Sequence, residues 1–301
     1  MKFRISLKTL LLIVTLLAAV LACVGYWLRA TWVQQTAVVK IESRYGSVKY
    51  EDLNENTSIR RMGALDYLDK VTQLNLTEDE GSAGLAAAKN LRHVKKIEAW
   101  GQYFDSLDQL AEFEQLEDLL FEKCEFLDWN GINKVHGLKC LAFFECNYGK
   151  PLSLTGPFPK LEKLSLGGWA AAEPSILKEV GKFVSLKELA INLSDKVTDS
   201  DLQSLCSLKS LTKIHMSGAK GRSLDFLGST VELEHLFLDG VDNIALPNIL
   251  SLPKLKYLHL GGIELSPSDD LTGLNRIEQL SIYPATPFNL EVMERWKAKQ
   301  K

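Results

Sequence analysis

The sequence predicts an α/β solenoid, a parallel β-sheet horseshoe of about ten stacked units, carried on one N-terminal transmembrane helix. Three observations predict it. The phrase "LEKLSLGG" at Leu161–Gly168 returns almost unchanged as "LKYLHLGG" at Leu255–Gly262. The pattern inside it, apolar-x-x-apolar-x-apolar, begins at Val71, Val94, Leu116, Leu138, Leu161, Leu186, Leu211, Leu233, Leu255 and Ile277, with spacings of 22 to 25 residues. And "LLLIVTLLAAVLACVGYWL", Leu10–Leu28, runs for 19 residues without a charge, close to the roughly 20 apolar residues that span a bilayer.

The N-terminal run is flanked by Lys2, Arg4 and Lys8, and its far end carries Tyr26 and Trp27. Amphipathic rings favour the membrane–water interface, and basic residues favour the cytoplasmic side. A retained signal anchor fits both length and flanks. It places the N-terminus in the cytoplasm and the repeats outside it. A cleaved signal has a shorter apolar core, of about 7–15 residues. A lipoprotein signal is suggested by "VLAC" with Cys23, but the apolar run continues beyond Cys23 to Leu28. The 301-residue chain carries 35 basic and 38 acidic residues. No acid and four bases fall in the first 29 residues, so the remainder has 31 basic and 38 acidic residues, a net −7. That balance argues against a nucleic-acid partner, which requires a basic face.

In a strand of the form L-x-L the two leucines face one way and the residue between them faces the other. One such unit cannot bury its apolar face alone; stacked units share a continuous core. A second apolar column lies three residues upstream of each phrase, from Leu68 to Leu274, broken only by Thr230. The segments Leu85–Asn90, Leu107–Phe113, Ser175–Phe183 and Leu202–Leu208 read as short convex helices or turns. A stack has two open ends. Ala30–Arg44 reads as a helix leaving the membrane, Gly46–Asp52 as a capping strand and Ile59–Leu68 as a first helix. Thr286 onward reads as a C-terminal capping helix with Leu290, Met293 and Trp296 on its covering side. The expected division is residues 1–29 as anchor, 30–67 as helical stalk and N-terminal cap, 68–285 as repeats and 286–301 as C-terminal cap.

These columns resemble the leucine-rich repeat family, whose period is about 20–29 residues; a membrane span, a stalk and then repeats resemble its bacterial membrane-anchored members. The family's Asn/Cys position, eight residues after the first leucine, is held here by Cys124 and Cys146, and elsewhere by Gln102, Trp169, Ser194, Ala219 or Ile263. A regular asparagine ladder is therefore missing. "DKVTDSDLQSL", Asp195–Leu205, looks like the convex segment of cysteine-type repeats, with Asp199 or Ser200 as the expected helix cap. Cys124 and Cys146 sit at equivalent places in adjacent repeats, within disulfide reach; buried free thiols are the plainer expectation. Cys140 falls on the concave side and Cys206 on a convex segment.

No phosphate-binding loop, dinucleotide fingerprint, H-E-x-x-H or G-x-S-x-G motif is present. No catalytic, metal or cofactor site is expected; carboxylates such as Glu117, Asp118 and Glu122 read as solvated strand faces, and the sequons at Asn56, Asn75 and Asn192 as chance. What the strands do offer is a concave face. His215, Phe237 and His259 lie between the last two apolar residues of consecutive repeats, and His235 and Tyr257 lie two residues earlier on the same face. Trp100 and Phe144 form a second concave set in the first half. Exposed aromatics with no role in the solenoid core are enriched at binding hot spots. The expected function is therefore non-catalytic binding of a protein or other macromolecule through the concave sheet. A structural, self-associating envelope protein and a secreted lipoprotein form are the alternatives.

Overall fold

The computed structural model describes residues 7–51, 70–77, 81–149, 152–167 and 172–300. The expected helix at Ile59–Leu68 and the residues Asn56 and Trp169 lie outside the described residues. All ten apolar phrases form strands. After β1 (Gly46–Tyr50) come β2 (Val71–Leu76), β3 (Lys96–Trp100), β4 (Tyr103–Phe104), β5 (Asp118–Glu122), β6 (Glu125–Phe126), β7 (Cys140–Phe144) and β8 (Asn147–Tyr148). The second half supplies β9 (Lys163–Leu166), β10 (Glu188–Asn192), β11 (Lys213–Ser217), β12 (His235–Asp239), β13 (Tyr257–Gly261) and β14 (Gln279–Tyr283). Strands β4, β6 and β8 form a small parallel sheet of their own; the other eleven form one sheet in chain order. Within it β2 to β14 are parallel, and β1 closes the N-terminal edge antiparallel to β2. This is a leucine-rich-repeat solenoid.

Burial follows the strand period of two. Leu236 and Leu238, Leu258 and Leu260, and their equivalents in the other strands are buried, while the residues between them face outward. From Leu91 to Leu274 the upstream column is buried too, Thr230 included; the Thr230 hydroxyl donates to the Leu227 carbonyl at 2.8 Å, which is how a polar residue occupies a core position. The convex side carries α2 (Gly81–Ala88), α3 (Pro174–Val180), α4 (Asp199–Leu202) and α5 (Leu246–Ser251), with single 3-10 turns such as Asp108–Glu112 and Gln203–Ser207.

Ala30–Arg44 is helical, as the continuation of α1, one helix from Leu7 to Arg44, and its Ala37, Val38 and Ile41 are buried where it meets α2 and β1. Two expectations need correction. The cap of α4 is Thr198 rather than Asp199 or Ser200. The Thr198 hydroxyl accepts from the Asp201 amide, and the Asp201 carboxylate accepts from the Thr198 amide, a reciprocal arrangement that satisfies two otherwise unpaired donors. Asp199 instead accepts from the amide of Ser223 in the next repeat. In the C-terminal helix, α6 (Pro287–Lys299), Leu290 is half exposed; Asn289 and Val292 are buried, with Met293 and Trp296 partly so. The covering stripe thus starts one residue earlier, at a polar residue. Asn289 earns that place by hydrogen bonding: its amide donates to the Ile263 and Pro284 carbonyls, and its oxygen accepts from Leu265 N.

Candidate binding surface on the concave sheet

Strand register sets the concave rows. His215, Phe237 and His259 are direct partners across β11, β12 and β13, followed by Ser281 on β14. Lys213, His235, Tyr257 and Gln279 form the row two residues earlier. Ser217, Asp239, Gly261 and Tyr283 form the row two residues later. All five second-half residues singled out from the sequence therefore come together on one face.

The contacts within this set are specific. The rings of His235 and Tyr257 stack at 4.1 Å with 3° between planes. Phe237 lies 6.1 Å from the His215 ring and 6.4 Å from the His259 ring, and Lys213 Nζ stands 5.9 Å over its face. Asp239 holds the two flanking imidazoles: Oδ2 is 3.2 Å from His215 Nε2 and Oδ1 is 3.3 Å from His259 Nε2. The sequence reading missed Asp239, Lys213 and Tyr283. Asp239 and Tyr283 end their strands, and the period-two argument could have found both by extending each row one step.

Trp100 and Phe144 are not in contact through their row, because Glu122 of β5 stands between them. Both are exposed, at 52% and 39%, and Lys123 Nζ lies 5.8 Å from the Trp100 ring. From Phe144 on β7 to Phe237 on β12 is four strand steps, about 19 Å at the usual spacing. The row between the two patches carries only the small residues Ala142, Ser165 and Ala190.

The remaining chemistry is quiet. Cys124 and Cys146 are free and buried, their thiols donating to main-chain carbonyls of their own and the preceding repeat. A hydrogen bond to Cys146 and burial push the Cys124 thiol well above the usual range. Cys140 does face the concave side, half-buried, and burial raises its thiol as well. Among the described residues no group of three or more His, Cys, Asp or Glu side chains is arranged to hold a metal ion. A cleft of ≈ 610 Å³ lies at the C-terminal end, between α6 and residues 267–275, away from the concave rows.

No protein-family model and no curated protein matches the sequence. Solved structures do match the fold. An internalin from Listeria monocytogenes is 16% identical and superposes with a TM-score of 0.57, over 74% of this chain and 63% of the internalin, so the match spans less than two thirds of that protein. A leucine-rich-repeat protein from Leptospira interrogans is 13% identical, with a TM-score of 0.45, over 70% of this chain and 66% of its own. The Arabidopsis receptor kinase HAESA, solved with the peptide hormone IDA and the co-receptor SERK1, is 16% identical, with a TM-score of 0.47, over 65% of this chain and 35% of its own. Of these three the internalin alone exceeds 0.5, and at its identity the likeness concerns the fold.

Proposed function

We propose that this chain is a non-catalytic, membrane-anchored repeat protein that binds a protein or other macromolecular partner through its concave sheet. The contact residues are His215, His235, Phe237, Tyr257 and His259, with Trp100 and Phe144 as a second contact set. The observation that carries this reading is the outward aromatic and imidazole cluster of β11 to β13, which contributes nothing to the leucine core beneath it. A rigid sheet lowers the entropic cost of presenting such a cluster. Residues 1–29 act as anchor, with the N-terminus cytoplasmic and the repeats on the far side of the membrane. α1 supports the anchor: it contains one stretch long and apolar enough to cross a bilayer, with none of it buried. Cys23 lies in mid-helix, which favours a retained anchor over a lipidated terminus.

The test is crosslinking of the intact protein in its native membrane, identification of the attached partner and comparison of two double variants that remain folded. Phe237→Ala with Tyr257→Ala should weaken binding by at least about 2 kcal/mol. Loss confined to Trp100→Ala with Phe144→Ala moves the site to the first half, and loss in neither pair removes the concave face from consideration.

A further inference from the structure

We infer that the second-half patch is a seat for an arginine side chain of a basic protein segment, organised by Asp239. This rests on the concave-face reading and adds the chemistry of the partner. Each imidazole meets a different oxygen of one carboxylate through its Nε2. The His215 contact is a hydrogen bond, and because a carboxylate can only accept, His215 Nε2 carries the proton in it. Among the described residues no lysine or arginine pairs with Asp239; Lys213 leans on Phe237, and Lys256 pairs with Glu234. The side chain of Asp239 is about half exposed, at 49%.

The backbone beside it is shaped for this carboxylate. A Cβ at Gly261 would stand 2.5 Å from Asp239 Oδ1, so a side chain there would push the carboxylate from its present place beside His259. Beyond Gly261 in the same row stands Tyr283, 66% exposed. A carboxylate and aromatic faces in one place match a planar guanidinium, which pairs with carboxylates and stacks on rings. The position of Lys213 over Phe237 shows that a ring of this patch already accepts a cation. An anion would face the carboxylate instead. Charge on the larger scale agrees: residues 30–301 carry a net −7, which favours approach of a basic partner.

The test uses the full chain in detergent micelles and two fluorescein-labelled peptides, one alternating arginine with glycine and one with citrulline, the neutral isostere, in place of arginine. The arginine peptide should bind about fivefold tighter or more. Asp239→Asn, which keeps the shape and removes the charge, should reduce that preference to less than about twofold. Gly261→Ala, which keeps the charge and evicts the carboxylate, should do the same. Glu264→Gln makes the same charge change on an exposed loop position and should retain the preference. The inference is overturned if the preference persists in Asp239→Asn, if Glu264→Gln abolishes it equally, or if neither peptide binds. In each of those cases the captured partner can still depend on Phe237 and Tyr257, so the cation seat can fail while the concave-face reading stands. If partner binding ignores those two residues, the reading itself fails.

Discussion

The two halves of the solenoid make the same backbone turn with different residues. After β3, β5 and β7 the chain enters the left-handed region at Gly101 (φ 66°), Lys123 (φ 54°) and Glu145 (φ 50°). After β11, β12 and β13 it does so at Gly218 (φ 74°), Gly240 (φ 67°) and Gly262 (φ 81°). At most of these turns the amide donates forward to the end of the next strand, as Gly101 does to Glu122 and Gly218 to Asp239. Room differs from turn to turn: a Cβ at Gly101 would meet nothing within 4 Å and one at Gly240 nothing closer than 3.8 Å, whereas one at Gly218 would stand 2.6 Å from the Leu193 carbonyl oxygen. The first half therefore tolerates side chains at the turn and uses them: Lys123 reaches over Trp100 and lies 3.8 Å from Glu145.

The cores differ as well. In the first half Phe104, Phe121, Phe126 and Phe143 form a buried cluster, with centroids 4.9 to 5.9 Å apart in stacked and edge-on pairs. The second half fills the same layers mainly with leucine, isoleucine and methionine. The largest expected effect tests this contrast. Phe121→Ala, at the centre of the cluster, should cost about 4 kcal/mol, and Leu236→Ala about 3 kcal/mol, because a larger void with fewer mobile neighbours collapses less. Urea unfolding in micelles with a near-ultraviolet circular dichroism readout measures both. A larger loss for Leu236→Ala would mean that the aromatic cluster is the more adaptable core.

Next in size is Arg222, which belongs to the second half alone. It is buried, and its guanidinium donates to the carbonyls of Ser194, Val197, Gly218 and Lys220. It sits in the 22-residue unit that starts at Leu211 and ties the turn of that unit to the loop of the preceding 25-residue unit. Arg222→Met keeps most of the volume and strands these carbonyls, so the same unfolding experiment should show a loss of about 2–4 kcal/mol. An unchanged midpoint would mean that water replaces the guanidinium.

Arg222 also marks the limit of what could be read from the sequence. The strands were legible because their signal repeats: from β3 to β14, each strand of the main sheet begins two residues after the first apolar residue of its phrase. The concave placement of His215, Phe237 and Tyr257 followed from the same period. Arg222 sits in "AKGRS", where a charge beside glycine reads as solvated loop, and its partners are carbonyls, which leave no mark on side-chain pattern. Asn289 was hidden for the same reason. Thr198 was passed over for its acidic neighbours because a capping box is defined by the partner three residues on, here an aspartate.

Smaller effects are expected at the turns. Gly101→Ala pays only for a left-handed alanine, about 1 kcal/mol. Gly218→Ala adds a collision with the Leu193 carbonyl, so its loss should exceed that of Gly101→Ala by about 1 kcal/mol or more. Equal losses would show that the second-half strands shift apart easily.

The smallest effects concern two carboxylates whose protons are held in opposite ways. Asp118, on the concave face of the first half, has its carboxyl pushed up by burial, which outweighs the pull of Lys96. Asp201, in the cap of α4, has its carboxyl held down by the Thr198 hydroxyl and amide. An acid whose folded value is raised binds its proton more tightly in the folded state. Its ionisation then weakens the fold as pH rises from the unfolded value through the folded one. An acid whose folded value is depressed does the reverse: its stabilisation is present above the unfolded value and is lost as pH falls through the folded one. At neutral pH Asp118→Asn should therefore raise the urea midpoint and Asp201→Asn should lower it. Both differences from the parent protein should shrink on acidification below the ordinary carboxylate range, where all the acids are protonated. A midpoint lowered in both variants at neutral pH would mean that Asp118 stabilises the sheet through its lysine neighbours after all, and that the concave face of the first half tolerates charge as readily as the convex cap of the second.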